Sequence, residues 1–286
     1  MAFVVRLHTA TALRNFVDRV SEVLTELPFQ VVNDDSFKGL RINSIDCSTV
    51  CCVNAQLRVP QVTGSGNFCV NTQEFMIHLQ SIDGDATITL SCDEDDDKVV
   101  LEIPGRNGSK RYKIKTIDRD PEEIGLSGFE TVHQVHMRAA HLSAYLNLCK
   151  RLKYKNVTIT IRVVKDAQGR EDRYFELSSI SDVGSGATHT EVQIGAHTDN
   201  NRVELSPDDR PEGAFDGTIP ENAEVVYRES FSQKFLSKFC GGARSAGDVL
   251  TDITLCGPSK PLIMAIGLGV EDSWVRFVLA TVFEEE

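Results

Sequence analysis

A helix-like run followed by a strand rich in β-branched residues recurs along this chain, and that repetition constrains the fold more than any single residue does. An amphipathic run from Ala10 to Leu27 leads into Phe29-Gln30-Val31-Val32, and Thr72 to Ile82 leads into Thr87-Ile88-Thr89-Leu90. Arg138 to Lys153 leads into Val157-Thr158-Ile159-Thr160-Ile161, and Ser230 to Cys240 leads into Asp252-Ile253-Thr254-Leu255. Two such pairs fall in each half. A repeated unit predicts a repeated architecture, here an α+β one built twice.

The periodicities assign most of the elements. Leu13, Phe16, Val17, Val20, Val23, Leu24 and Leu27 make one apolar helical stripe, with Thr9 or Thr11 placed to cap it and Pro28 to end it. Residues 39–46 alternate as a strand, and Cys51 to Val59 reads as its neighbour. The second helix, Thr72 to Ile82, offers Phe75, Leu79 and Ile82 to the core. The acidic run Asp93 to Asp97 sits between two strand patterns and predicts a hairpin tip. Arg111, Lys113 and Lys115 alternate with Tyr112 and Ile114, giving a strand with one basic face.

Thr116 to Thr131 is rich in charge and turn formers and separates two periodic halves, as a domain connector does. In the second half, Leu142, Tyr145, Leu146, Cys149 and Leu152 share a helix face. Strands flank the turn Asp166-Ala167-Gln168-Gly169. Asp199 to Asn222, with its prolines and glycines, reads as a surface loop. Phe231, Phe235 and Phe239 mark the last helix, and residues 262–267 and 274–279 the closing strands.

Composition removes several classes of function. At 286 residues and 41% hydrophobic content the chain is long and apolar enough for a large core. No apolar run reaches the roughly eighteen residues of a membrane span, and the N-terminus lacks the pattern of a signal peptide, so an intracellular protein without membrane partners is expected. The eight cysteines contain no Cys-x-x-Cys and are read as reduced structural thiols, with Cys47 and Cys149 inside apolar patterns. The net charge of −12 argues against static DNA binding by bulk electrostatics, but leaves room for one locally basic surface.

Motifs for chemistry are lacking. His133 and His136 lie an odd number apart on a strand and face opposite sides, so with His141 they make no metal set. The acidic run lacks the glycine and terminal glutamate of a calcium loop. Neither Gly64-Ser65-Gly66 nor Gly267-Leu268-Gly269 is followed by the Lys-Ser/Thr of a phosphate loop. No metal, no cofactor and no catalytic residue is expected.

The order and spacing of several stretches resemble the DNA sliding clamp family of proliferating cell nuclear antigen. They are residues 40–50 with the turn Asp46-Cys47-Ser48-Thr49-Val50, Val70-Asn71-Thr72 opening the second helix, residues 115–126 as the connecting loop, Pro261-Leu262-Ile263, and Val275 to Ala280 followed by acids. The resemblance implies two similar clamp domains, 1–117 and 132–286, joined by a connecting loop at 118–131. In each, a helix pair is backed by antiparallel sheets, and three subunits close head-to-tail into a ring. Three departures stand out. Arg162 to Asn222 is longer than the family's equivalent, Thr281 replaces a proline, and the second helix carries no lysine or arginine.

Such a clamp is no enzyme. The resemblance implies a processivity factor that encircles duplex DNA without reading its sequence and docks polymerase, clamp loader and other proteins through PIP-box-like peptides. It also implies a homotrimer working in the nucleus, or at a viral replication site if virus-encoded. The cations on helices that would face the hole are Arg14, Arg19, Lys150, Arg151, Lys153, Lys234 and Lys238. The positions matching the peptide pocket are Ile45, Cys52, Ile117, Leu126, Pro261, Val278, Leu279 and Ala280, with Asp118, Asp120, Glu122 and Glu123 available to steer basic flanks. The alternatives are one subunit of a heterotrimeric checkpoint-type clamp and a monomeric DNA-binding processivity factor. Ring closure would pair edge strands, either near 111–115 or those following Val157 or Arg173, and the sequence does not choose among them.

Overall fold

A computed structural model describes residues 2–93, 97–105, 108–119, 121–122, 124, 129–165, 167, 171–180, 189–196, 202–204, 222–240 and 250–282. The chain divides into two compact units, Met1–Gly125 with Gly267–Phe277, and Leu126–Ile266 with Val278–Glu286.

The first unit contains β1 (Phe3–Leu7), α1 (Ala10–Ser21), β2 (Glu26–Asn33), β3 (Lys38–Ile45), β4 (Cys51–Arg58), β5 (Gln61–Gly64), β6 (Gly66–Asn71), α2 (Thr72–Gln80), β7 (Ile88–Cys92), β8 (Lys98–Gly105) and β9 (Gly108–Lys115). One sheet runs β5-β1-β7-β8-β9, and the other places β4-β3-β2-β6 in order. The chain changes sheet at Gly64, where φ is +73° and a Cβ would stand 2.1 Å from the Ala2 carbonyl oxygen. This glycine therefore serves a corner.

The core between sheets and helices is aromatic. Phe29 stacks on Phe68 with ring centroids 4.8 Å apart and meets Phe75 edge-on at 5.8 Å, while Phe68 stacks on Phe3 at 5.4 Å. Leu13, Phe16, Val17 and Val20 of α1 are fully buried, as their stripe predicts. That stripe overestimates the helix, however. α1 ends at Ser21; Val23 and Leu24 close a turn by donating to the Val20 carbonyl, and Leu27 and Pro28 lie in β2 opposite Val70 and Cys69. The apolar period continues past the helix because turn and strand bury the same side.

Neither threonine caps α1. Thr9 holds the N-cap position without a side-chain bond, and the amides of Ala10 and Thr11 donate instead to the carbonyls of Ala86 and Gly84. Arg14 does the converse at the other helix: its Nη2 donates to the carbonyls of Leu79 (3.0 Å) and Ile82 (2.6 Å). Each helix of the pair thus satisfies terminal groups with help from the other's neighbourhood. The Asn71 side chain caps α2 by accepting from the Glu74 amide.

The second unit repeats the order. It comprises β10 (His133–Arg138), α3 (Ala139–Arg151), β11 (Asn156–Lys165), β12 (Glu171–Ile180), β13 (His189–Ala196), β14 (Arg202–Glu204), β15 (Glu224–Ser232), α4 (Gln233–Cys240), β16 (Leu250–Leu255) and β17 (Leu262–Gly267), and β18 (Trp274–Leu279) ends the series. Its sheets run β14-β10-β16-β17 and β13-β12-β11-β15. Element for element these match β5-β1-β7-β8 and β4-β3-β2-β6 of the first unit. One pairing differs in sense: β5 is antiparallel to β1, whereas β14 is parallel to β10.

Two sequence expectations change here. Ser230 and Phe231 belong to β15, opposite Thr158 and Val157, so the last helix starts at Gln233. The expected loop 199–222 contains the short strand β14, and most of its remaining residues lie outside the described ones. The strand β18, which completes the second repeat and therefore corresponds to β9, lies on β4 in the first unit's sheet.

Candidate nucleic-acid and partner-docking surfaces

The seven expected cations separate into two groups. Arg14 spends its guanidinium on the end of α2, and Arg19 is 5% exposed. Neither guanidinium is presented on an exposed face. Releasing Arg14 would orphan two carbonyls, and turning out Arg19 would dismantle packing. In the second unit the expected cations are more accessible. Lys150 and Arg151 are exposed in the last turn of α3, where their charge also suits the helix dipole. Lys153 is exposed just beyond the helix, in a left-handed conformation at φ 59°. Lys234 is exposed on α4, and Lys238 is half-buried with its ammonium 5.5 Å from the centroid of the Phe235 ring. α3 packs against α4. The buried Gln233 ties them by donating to the Leu146 carbonyl at 3.1 Å.

The turn after β3 is built around Asp46. Its carboxylate accepts from the amides of Ser48, Val50 and Cys51 at 2.7–3.0 Å. Burial opposes its ionisation, but these donors outweigh that effect and hold its carboxyl below the usual range. Cys47, expected to be buried, is exposed in this turn. Beside it, Ile45 and Cys52 are cross-strand partners and both half-buried. Burial, then the nearby charges of Asp46 and Glu122, raise the Cys52 thiol.

The beginning of the connector belongs to the first unit's sheet. The Ile117 amide donates to the Cys69 carbonyl at 2.8 Å, extending the edge of β6. Arg119 then gathers three acceptors: Glu26 at 3.0 Å, Ser44 Oγ at 3.1 Å and Glu122 at 2.7 Å. The second Glu122 oxygen accepts from the Ile45 amide, and the Glu122 amide donates to the Asn43 carbonyl. The charge of Glu122, expected to steer partner peptides, is instead engaged within the chain, while Asp118 is exposed. Composition gives no signal for this clip, since Arg119 sits among acids in the chain and its strand partners are far away in sequence.

Arg119→Ala is expected to destabilise the chain by about 1–2 kcal/mol, the range for charged hydrogen bonds that remain partly solvated. It should also speed hydrogen exchange at the Ile117 amide, as read by mass spectrometry. An unchanged rate there would show that the clip does not hold the connector.

The remaining pocket positions fare unequally. Leu126, Asp120 and Glu123 lie outside the described residues. Leu279 is fully buried and Val278 is 6% exposed, so both belong to the core. Pro261 is half-buried and Ala280 is exposed.

His133 and His136 do face opposite sides. His136 pairs with Asp252 across β10 and β16. His133 is 5% exposed and its Nδ1 lies 3.0 Å from Nη1 of Arg173. Burial, and then the Arg173 charge, push its pKa down to about 4. Between pH 6.5 and 4 the unfolded chain therefore takes up a proton that the native one refuses, and stability rises with pH across that window. Lowering the pH from 7.5 to 5 is expected to cost about 2 kcal/mol through this residue. In urea titrations at the two values, His133→Gln should lose that much less than the wild type. The His141 side chain and the acidic tip 94–96 lie outside the described residues, and among the described residues no group of three metal-ligating side chains occurs.

No protein-family model matches the chain. Among solved structures, it is similar to a proliferating cellular nuclear antigen from Entamoeba histolytica, at 16% identity and a TM-score of 0.71 over 99% of both chains. It is also similar to a PCNA2–PCNA3 complex from Sulfolobus tokodaii, at 14% identity and a TM-score of 0.68, over 97% of this chain and 98% of that one. With both repeats matched over nearly their full length, the chain has the fold of the proliferating cell nuclear antigen type of clamp.

Proposed function

We propose that this chain is a sliding-clamp subunit which closes with further copies of itself around duplex DNA and tethers replication enzymes there, doing no chemistry itself. One observation carries the reading: the two repeats leave complementary edges open. In the first unit β4 is covered by β18, the last strand of the second repeat. The corresponding pair is β9 with β13, and among the described residues each is the end strand of its sheet. An exposed edge strand is a pairing template. A β9 edge on one copy meeting the β13 edge on the next repeats the β18–β4 junction, and a head-to-tail contact of this kind generates a ring when its rotation closes.

The docking part of the proposal rests on Ile45, Cys52 and Ile117. These half-buried apolar groups lie on the outer positions of a sheet whose neighbouring connector is pinned in place. A partner peptide with apolar anchors would meet a preorganised surface.

The experiment has two readouts. Sedimentation should give the mass of three copies, and a clamp loaded onto closed circular duplex should stay there but run off when the circle is cut. A monomer at high concentration, or equal retention on circle and linear DNA, would reject encirclement. Chemical-shift changes at Ile45 and Ile117 on titration with a PIP-box peptide test the docking surface, and unmoved signals would reject it.

A further inference from the structure

We infer that the DNA-facing chemistry of this clamp is one-sided: the α3–α4 pair of the second repeat contacts the phosphate backbone, and the α1–α2 pair of the first repeat does not. This inference rests on the clamp reading above and adds which half of the subunit holds the duplex.

The two helix pairs occupy equivalent places in the repeat but differ in charge. The exposed positions of α1 and α2 are Thr11, Asn15, Gln73, Glu74, Ile77 and Gln80, which include one acid and no cation. The only basic side chains there besides His78 are Arg14 and Arg19, one bonded to carbonyls at the end of α2 and the other buried. Ile77, at 66% exposure, adds an apolar side chain to this face. The α3 and α4 sequences contain no Asp or Glu at all, and they hold Lys150, Arg151, Lys234 and Lys238, with Lys153 just beyond.

In a protein of net charge −12, this segregation decides where a polyanion can rest. A phosphate approaching α1–α2 meets Glu74, the half-buried Asp18, the carbonyl-bonded Arg14 and neutral groups, while one approaching α3–α4 meets cations and no acid of either helix. The long side chains of lysine and arginine exchange readily between neighbouring phosphates, so the contacts hold without fixing register. In a ring of three copies the result is three separate basic patches with neutral or acidic surface between them, not a continuous basic lining.

The test compares charge reversals on both pairs in the full-length protein, using fluorescence anisotropy on a short linear duplex at two salt concentrations. Lys150→Glu/Arg151→Glu and Lys234→Glu/Lys238→Glu are each expected to weaken binding at least about tenfold and to flatten its salt dependence. Asn15→Glu/Gln73→Glu should stay within about twofold of the wild type. Equal weakening by the α1–α2 variant, or no weakening by either α3–α4 variant, would overturn the inference. Charge-neutral Lys→Gln versions should give smaller losses in the same order, which separates charge from misfolding. Sedimentation of every variant isolates the underlying reading: a ring that forms and loads but depends on α1–α2 refutes one-sidedness alone, whereas a wild type that neither assembles nor binds duplex refutes the clamp itself.

Discussion

On the proposed ring, one of the two variants Tyr112→Pro and Lys113→Pro should reduce the assembly to single copies while leaving each copy folded. In an antiparallel ladder adjacent residues send their N–H groups to opposite sides, one to the partner strand and one to the free edge. Residues 112 and 113 of β9 pair with Leu101 and Val100 of β8. Proline at one position removes a bond inside the subunit; at the other it removes a donor from the open edge and blocks close approach of another strand there. The first lesion should lower the stability of the isolated chain. The second should leave that stability nearly intact and shift the sedimentation mass from three copies to one. The split is informative because a generic destabilising effect would act on both variants alike. If both retained the mass of three copies, β9 would not be the joining edge.

Phe29→Ala is expected to destabilise the first unit by about 3–5 kcal/mol, the range for deleting a fully buried aromatic ring. Phe29 is 0% exposed and sits in the middle of β2, with Phe68 of β6 and Ile42 of β3 as its cross-strand neighbours. Its ring touches three others: Phe16 lies 6.3 Å away between centroids, Phe68 4.8 Å and Phe75 5.8 Å. Helices α1 and α2 both reach the sheet through this ring, so the surrounding groups cannot all move in to fill the void. Against a typical domain stability of about 5–15 kcal/mol the loss is a large fraction. It should appear as a lower denaturant midpoint for the transition of the first unit. Ile77→Ala, on an exposed face of α2, is the control and should change stability by less than about 0.5 kcal/mol. A Phe29→Ala effect no larger than that of Ile77→Ala would show that the aromatic cluster is not what holds the helices.

The repeat and its alternation of helix and strand are legible because hydrophobic period is a local property. Leu13, Phe16, Val17 and Val20 announce a helix at any position in a chain, and residues 39–46 announce a strand. Boundaries are less legible. Leu27 continues the helical stripe yet sits in β2, and Phe231 keeps phase with Phe235 and Phe239 yet sits in β15. In both cases burial on one side persists across a change of backbone, and period alone registers the burial. The candidate site is legible by residue type but not by availability. Arg14 and Arg151 look alike as letters in a helix; whether the guanidinium is free depends on what lies across from it.

The amino-acid sequence alone therefore determined the two-fold α+β repeat, the aromatic and aliphatic core positions, the basic alternation of residues 111–115, and the lack of lysine and arginine in α2. Each of these follows from side chains a few residues apart. Only the tertiary structure decided that Arg14 bonds the end of α2 and Arg19 is buried, that Arg119 and Glu122 pin the connector, and that β18 covers β4 while, among the described residues, β9 and β13 end their sheets. Those facts depend on partners 65 or more residues away for Arg14 and 93 for Arg119 with Glu26. Such pairings are set by how whole sheets stack and register, and local pattern carries no record of that distance.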